Sequence, residues 1–182
     1  SLLESVLDMQ FEMLTTHVND GRKLPQRSAV RGAGHAYLSA PYGLYKTLDS
    51  YLALAMGNVG HIAETIGLSS EPYQDASTWF SRRDEILEAF ATVLCQKTTS
   101  EWVSRLESEG IWCGAVNDYH RFFEEQGFKE TGMLQEVSLQ DGTALTTTRS
   151  VYQIDGKRLY AGKPAPKVGQ HTASIVHDYL EN

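Results

Sequence analysis

The residue types that could take part in chemistry are concentrated in one segment, between Arg31 and Gly43. Its single histidine, His35, carries an imidazole, the side chain type whose charge changes near neutral pH. Tyr37 and Tyr42 add phenolic hydroxyls, and the glycines allow another backbone or a ligand to approach closely. The candidate ligand-contacting residues are Arg31, Gly34, His35, Tyr37, Ser39, Pro41, Tyr42 and Gly43. An ordinary crossover loop with a hydrogen-bonded His35 explains the pattern equally well, and the residues alone name no reaction.

The sequence carries none of the common motifs for metal binding or nucleophilic catalysis. The six histidines form no HExxH pair, and Cys95 and Cys113 have no CxxC partner, so no metal ligand is predicted. No GxSxG nucleophile elbow occurs, and the stretch 31–34 is too short for a phosphate-binding glycine loop. Both cysteines lie in apolar stretches and are expected to be buried thiols in a reducing compartment.

The overall charge argues against nucleic acid as a partner. The 182 residues have a net charge of −7, whereas nucleic-acid binding requires a basic surface. Arg22, Lys23, Arg27 and Arg31 form a basic cluster within ten residues, which is either a site for a phosphate-bearing ligand or a solvated loop. No apolar run approaches the ~20 residues of a membrane span. The first eight residues lack the basic start of a signal peptide, so a cytoplasmic protein is expected.

The segment 31–43 follows a predicted helix and precedes a predicted β-hairpin. Residues 1–19 have apolar residues on more than one face, which predicts a largely buried helix. Because the chain begins inside this helix, we expect it to be a piece of a longer protein. The hairpin is predicted at 43–47 and 51–56, with the second strand buried on both faces.

Helices and strands continue to the end of the sequence. Helices are predicted at about 58–67 and 78–96, and Thr98 with Glu101 forms a capping box for a third helix. A short strand at 111–116 is followed by a helix that Asn117 caps and Gly127 ends. Two strand pairs then turn at 141–142 and 155–156, and a last helix begins at Thr172. The order of elements predicts an α+β class.

Residues 165–172, Ala-Pro-Lys-Val-Gly-Gln-His-Thr, resemble a signature near the end of the class III CoA-transferases of the CaiB/BaiF type. That family includes formyl-CoA transferase, carnitine CoA-transferase and α-methylacyl-CoA racemase. Three more segments are similar to the family in the same order, at 1–5, 41–55 and 110–116. Four ordered matches over the whole chain make the resemblance specific.

The resemblance implies an α+β fragment from the C-terminal half of the family fold. Family members have a large domain built from both ends of the chain and a small domain in the middle. Residues 1–30 would then be a linker helix and crossover from the large domain, residues 31–112 the small α/β domain with its antiparallel hairpin and helices, and residues 113–182 a linker and the strands and helix that return into the large domain. The family forms interlocked homodimers.

The resemblance also implies the chemistry. In the transferases, an aspartate of the N-terminal half attacks an acyl-CoA thioester, giving a mixed anhydride and then an aspartyl-CoA thioester. The substrates are an acyl-CoA and a carboxylic acid, with CoA as part of a substrate and no tightly bound cofactor. The implied nucleophile lies upstream of Ser1, so no catalytic residue is expected in this chain. The segment 31–43 would then be a lid or wall near CoA.

Several positions depart from the family pattern and indicate a divergent subfamily. Residues 37–40 lack the glycine run that precedes the hairpin in formyl-CoA transferase. Ser50 stands for a turn glycine, and Trp112 and Ala115 stand for two prolines. Two alternatives stay open: a racemase-type member that exchanges an α-proton by acid/base catalysis, and a stand-alone α+β binding domain.

Overall fold

The structure, a computed structural model, describes residues 1–139 and 141–180. Its strands pair in antiparallel fashion, and helices precede, separate and follow them in the sequence, so the predicted α+β class is confirmed. The chain divides into two compact units, Ser1–Val116 and Asn117–Asn182, and each is described separately. No helix among residues 1–139 and 141–180 combines the length and apolar composition needed to cross a membrane.

Residues 1–116, all of them described, form a three-stranded antiparallel sheet and five α-helices. The strands are β1 (Gly43–Lys46), β2 (Tyr51–Leu54) and β3 (Cys113–Ala115), in the order β1-β2-β3. The helices are α1 (Leu2–Met9), α2 (Phe11–Asn19), α3 (Val59–Ile66), α4 (Arg83–Leu94) and α5 (Thr99–Ser108). Two 3₁₀ turns, Glu71–Tyr73 and Ala76–Thr78, precede α4, which therefore begins later than predicted.

Alternation along the hairpin decides which side chains enter the core of this unit. In β1, Tyr45 is buried whereas Leu44 and Lys46 are exposed, and the register places Tyr45 opposite the buried Leu52. This is the pattern of a sheet with one face on the core. The expected burial of both faces of the second strand is wrong, because Tyr51 stays half exposed. Buried residues of the hairpin and of α3, α4 and α5 form the core: Tyr45, Leu52, Leu54, Val59, Ile62, Ala63, Ile66, Ile86, Leu87, Phe90, Leu94, Trp102 and Leu106.

Local capping signals in the sequence are confirmed. Asn58 begins α3 by accepting a hydrogen bond from the His61 backbone N–H at 3.0 Å. Gly67 ends that helix in the left-handed region, at φ 95°. Thr98 and Glu101 form the predicted capping box of α5, in which the Thr98 N–H donates to Glu101 Oε2 at 2.9 Å.

The N-terminal helix differs from its prediction in two ways. It is broken at Gln10 into α1 and α2, and none of its residues is buried within the described chain. Leu2 is 89% exposed and Phe11 is 68% exposed. The sequence pattern identified the apolar faces correctly, but a pattern carries no information on whether another element covers them.

The two cysteines also differ from expectation. Cys95 is exposed, because it follows the last turn of α4 beyond the buried Leu94. Cys113 is half-buried in β3, and this burial raises the pKa of its thiol. Both are free thiols.

The described residues of the second unit form three helices and two strand pairs. The helices are α6 (Tyr119–Glu124), α7 (Gln126–Thr131) and α8 (Thr172–Leu180). β4 (Leu134–Ser138) pairs with β5 (Ala144–Thr148), and β6 (Gln153–Ile154) pairs with β7 (Lys157–Arg158), as predicted. Asp118, and not Asn117, caps α6 by accepting from the Arg121 N–H at 2.9 Å. Gly127 lies inside α7, and Gly132 at φ 57° ends that helix.

The second unit has little interior. Among its described residues, Val137 is the one apolar side chain that is buried. Three phenylalanines, Phe122, Phe123 and Phe128, contact one another, with the Phe122 and Phe128 ring centroids 4.6 Å apart. Phe122 and Phe123 are nevertheless more than two-fifths exposed. An interior this small supplies little hydrophobic stabilisation.

A polar network joins the hairpin turn of the first unit to the start of α5. Asp49 Oδ1 accepts hydrogen bonds from the Thr99 N–H at 2.8 Å and from the Thr99 hydroxyl at 2.9 Å. The buried hydroxyls of Thr47 and Thr99 lie 2.7 Å apart. The hydrogen bond from the Thr99 N–H is the main reason why the pKa of Asp49 is lowered. Two residues fifty positions apart in the sequence are thus tied together.

We expect Asp49→Ala to lower the thermal midpoint of the chain by a few degrees at pH 7. Because the pKa of Asp49 is lower in the folded state, its contribution to stability is present above about pH 4 and is lost as the pH falls through the folded pKa. The gap in midpoint between wild type and variant should therefore shrink on acidification, measured by circular dichroism. Asp8→Ala, on the exposed helix α1, is the control and should change little. A constant gap from pH 7 to pH 3 would contradict the role of the carboxylate.

Candidate functional site

The segment 31–43, here called the crossover loop, folds back along β1. The Leu44 N–H donates to the Gly32 carbonyl at 2.8 Å, and the Gly34 N–H donates to the Tyr42 carbonyl at 3.3 Å. Ala33 and Gly43 form an isolated antiparallel bridge between these bonds. The loop is therefore fixed to the hairpin by its own backbone, although only its last residue, Gly43, belongs to a regular element.

Two glycines make this close approach possible. Gly32 has φ 99°, and a Cβ atom at this position would lie 2.3 Å from the Leu44 carbonyl oxygen. A Cβ atom on Gly43 would lie 2.8 Å from the Gly32 carbonyl oxygen. Both contacts are to backbone, which cannot move aside without breaking the bridge. At Gly34 a Cβ atom would lie 2.7 Å from the Tyr42 ring, a partly exposed side chain that can move aside.

The start of α4 holds the chain that enters the loop. The buried Arg83 guanidinium donates to the Gln26 carbonyl and lies over the Phe80 ring, 4.4 Å from its centroid. Asp84 Oδ2 accepts from the Ala29 N–H at 3.1 Å. Hydrogen bonds from Ser28 and then Ala29 hold the pKa of Asp84 below its ordinary value. These contacts connect positions about 55 residues apart and place residues 26–29.

The end of the loop is held by a buried tyrosine. The Tyr45 hydroxyl donates to the Pro41 carbonyl at 2.6 Å, and burial raises the pKa of this phenol. The Ala40–Pro41 peptide bond is cis. Pro41 is buried, whereas Tyr42 remains about one-third exposed beside Gly34. Tyr42 therefore belongs to the surface of the loop.

His35 and Tyr37 occupy the middle of the loop. His35 Nδ1 accepts from the Tyr37 N–H at 3.1 Å, so the neutral imidazole carries its proton on Nε2. Nε2 lies 4.0 Å from Glu12 Oε1. The Tyr37 hydroxyl is buried and has no hydrogen-bond partner among the described residues. A buried hydroxyl without a hydrogen-bond partner is uncommon in folded proteins.

Two hollows adjoin the loop, and Arg31 lines both of them. The smaller one, of about 280 Å³, is polar, and Arg27, Arg31 and His35 lie around it. The larger one, of about 620 Å³, lies where the loop meets β1, β2 and α4, and Arg31 and Lys46 are its two cations. Its apolar walls are formed by Val30, Leu44, Tyr51, Leu87, Ala91 and Val116.

The structure thus sorts the predicted site residues into groups. Arg31 and His35 meet at the polar hollow, Gly34, Pro41, Tyr42 and Gly43 shape the loop, and Tyr37 presents an orphaned hydroxyl. The half-buried Ser39 makes no side-chain hydrogen bond within the described part of the chain.

The sequence prediction missed Lys46 and Glu12. The alternation of β1 was a signal for Lys46, because it puts Leu44 and Lys46 on one face. Glu12 had no such signal. Nowhere in residues 1–139 and 141–180 do three His, Cys, Asp or Glu side chains cluster so as to hold a metal ion.

Known structures share this architecture. A CaiB/BaiF family protein from Brucella suis superimposes with a TM-score of 0.66 at 22% identity, over 96% of this chain and 44% of the Brucella chain. At this identity the likeness defines the fold. The α+β fragment of a class III CoA-transferase fold is therefore confirmed.

The family model described as CoA-transferase family III matches residues 1–172, so this chain belongs to that family. Succinyl-CoA:glutarate CoA-transferase of Mus musculus is 24% identical over 173 residues, 91% of this chain and 39% of the mouse protein. Succinate--glutarate CoA-transferase of Agrobacterium fabrum is 23% identical over 180 residues, 94% of this chain and 44% of the bacterial protein. The chain spans about two-fifths of the length of these curated relatives.

Gly32→Ala tests whether the backbone contact between Gly32 and Leu44 holds the crossover loop on β1. We expect it to lower the free energy of unfolding by about 1–3 kcal/mol, because the methyl group meets the Leu44 carbonyl and the backbone conformation is strained. Urea unfolding measures this loss. Limited proteolysis should show faster cleavage between residues 31 and 43.

Gly114→Ala is the matched control for Gly32→Ala. Gly114 lies in β3, and a Cβ atom there meets nothing within 4 Å. Its unfolding and cleavage should stay near those of wild type. Equal behaviour of the two variants would show that the contact between Gly32 and Leu44 does not hold the loop.

Proposed function

We propose that this chain is the C-terminal portion of a CoA-transferase that moves CoA between carboxylic acids. The observation that carries the proposal is the family match over residues 1–172. Both of the relatives compared above are named for transfer of CoA involving succinate and glutarate. The proposed substrates are therefore an acyl-CoA and an acceptor carboxylate, with CoA as part of a substrate and not as a bound cofactor.

In the proposed reaction, an aspartate outside this chain attacks the thioester carbonyl. The C–S bond breaks, and a mixed anhydride and a CoA thiolate form. The thiolate attacks the aspartyl carbonyl, which releases the donor acid as its carboxylate and leaves an aspartyl-CoA thioester. The acceptor carboxylate and then the thiolate repeat these two steps in reverse order, which forms the new acyl-CoA and frees the aspartate.

The proposed role of the crossover loop is to form a wall near the CoA substrate. Arg27 and Arg31 bring positive charge to the polar hollow in a protein of net charge −7. The substrates carry phosphate and carboxylate groups, which pair well with guanidinium. His35, which also lines this hollow, adds the Nε2–H donor. The eight predicted residues, from Arg31 to Gly43, thus remain the proposed substrate-proximal set.

Exposed apolar surface supports the proposed division into domains. The apolar residues of α1 and α2 are uncovered, and Val137 is the one buried apolar side chain in the described residues of the second unit. We propose that residues 1–30 and 113–182 pack against the rest of a longer parent, and that residues 31–112 form its small domain. In this proposal the parent is an interlocked homodimer located in the cytoplasm.

The chain of 182 residues should transfer no CoA from succinyl-CoA to glutarate by itself, because the proposed nucleophile lies outside it. The full-length parent should show transfer, measured by chromatography of the CoA esters. Hydroxylamine should trap an acyl-enzyme formed by the parent with succinyl-CoA. Turnover by the 182-residue chain alone would contradict the location of the nucleophile.

The same samples distinguish the racemase alternative. A racemase-type parent would exchange the α-proton of a 2-methylacyl-CoA in D₂O and would leave the CoA on its original acid. Mass spectrometry of the recovered ester detects this exchange. Exchange without transfer would overturn the proposed transferase function and leave the family assignment intact.

The 182-residue chain should self-associate or bind Nile red, an uncharged dye, through the exposed faces of α1 and α2. Phe11→Ser should reduce dye fluorescence, because Phe11 is 68% exposed on that surface. Leu48→Ser is the control, since Leu48 is 65% exposed and belongs to the hairpin turn and not to these helices. A monomer that binds no dye would contradict the proposed packing against a parent.

A further inference from the structure

The larger hollow beside the crossover loop has the properties of a binding cavity for a small molecule. Its volume of about 620 Å³ lies within the range of roughly 300–1,000 Å³ that small-molecule sites occupy. Apolar side chains from three separate elements face it: Leu44 from β1, Tyr51 from β2, and Leu87 and Ala91 from α4. Such walls favour an aliphatic or aromatic body, and each buried methylene strengthens binding roughly three- to fourfold.

The charges around this cavity select for an anion. Arg31 and Lys46 both line it, and neither has an ion-pair partner within the described residues. No aspartate or glutamate is among the described residues that line it. The described lining of this cavity is therefore positive, although the whole protein has a net charge of −7. A guanidinium and an ammonium group together can hold one anionic head group.

The position of the two cations is fixed by the fold. Arg31 precedes Gly32, whose carbonyl is bonded to the Leu44 N–H at 2.8 Å. Lys46 lies two residues after Leu44, on the same exposed face of β1. The backbone bridge between the loop and β1 therefore holds both cations beside the same apolar wall. The backbone that carries both cations is thus preorganised for a ligand.

We propose that this cavity binds an organic anion with an apolar body, whose carboxylate or phosphate head pairs with Arg31 and Lys46. The binding is non-covalent and involves residues of the 182-residue chain alone. It goes beyond the proposed transferase function, because it requires neither the nucleophile nor transfer of CoA. Two kinds of ligand have these properties: a free fatty or aromatic acid, and an alkyl phosphate.

Isothermal titration calorimetry of the 182-residue chain tests the proposal with four probes. Octanoate and octyl phosphate each have an anionic head group and an alkyl chain. Octanamide has the alkyl chain with an uncharged head group, and acetate has the carboxylate without a long alkyl chain. Octanoate should bind about five- to tenfold more tightly than octanamide, and at least about tenfold more tightly than acetate. A comparison of the affinities for octanoate and octyl phosphate identifies whether the cavity prefers a carboxylate or a phosphate head group. Added NaCl should weaken the binding of octanoate and leave the binding of octanamide unchanged.

Charge variants test the head-group contacts. Lys46→Met and Arg31→Met should each weaken octanoate binding about five- to tenfold and leave octanamide unchanged. Both residues are exposed, so circular dichroism should show a native fold. Lys163→Met, which removes an exposed cation of the second unit, is the matched control and should bind octanoate as wild type does.

A volume variant tests the apolar wall. Ala91→Phe on α4 should fill the cavity. The binding of octanoate and of octanamide should then weaken alike, at least about tenfold. Thr92→Phe adds a ring to the exposed face of the same helix and should leave binding unchanged. Equal affinity for octanoate and octanamide, or unchanged binding by both charge variants, would overturn the proposal.

The outcome is separable from that of the proposed function. Octanoate binding by the 182-residue chain, together with no CoA transfer by the parent, would overturn the transferase proposal alone. CoA transfer by the parent, together with no octanoate binding by the chain, would overturn the cavity proposal alone.

Discussion

The contact between two backbones, at Gly32 in the crossover loop and Leu44 in β1, is the constraint on which the candidate site depends. No side chain fits between the Gly32 Cα and the Leu44 carbonyl, so the loop lies directly on the strand. This contact puts Arg31 beside the hairpin. His35 and Tyr37 follow it in the same loop. A loop of the same length without Gly32 would stand away from β1, and both hollows would lose a wall.

The first unit supports this contact from two directions. The helix α4 holds the incoming chain through Arg83 and Asp84, while Tyr45 reaches from the core to the Pro41 carbonyl. Because α4 and Tyr45 belong to the same buried cluster, the loop inherits the rigidity of that core. The second unit has no comparable interior among its described residues. The proposed packing of residues 113–182 against the rest of a longer parent would account for this contrast.

How much could be predicted from the sequence depended on how local the responsible interaction was. The caps at Asn58, Gly67 and Thr98 act within four residues, and all three were predicted correctly. The burial of α1 and of Cys95 depends on what covers them, and there the predictions were wrong. The crossover loop stays a predicted ligand-contacting segment, and this prediction rests on its residue types.

The contacts that seat the loop were beyond any local signal. Asp84 accepts a hydrogen bond from the Ala29 N–H, 55 positions away in the sequence, and no local sequence pattern predicts such a pair. The cavity beside the loop likewise depends on α4 and β1 meeting in space. Lys46 could have been recognised only after β1 was known to border a cavity.

The crossover loop has one more effect, on the free edge of the sheet. β1 is an edge strand, and an uncovered edge offers unpaired N–H and C=O groups to strands of other molecules. The Gly32 carbonyl occupies the outward N–H of Leu44, and the bridge between Ala33 and Gly43 covers the start of the strand. Half of a four-residue strand is thereby closed to intruding chains. The loop thus also acts as a guard against aggregation by strand addition.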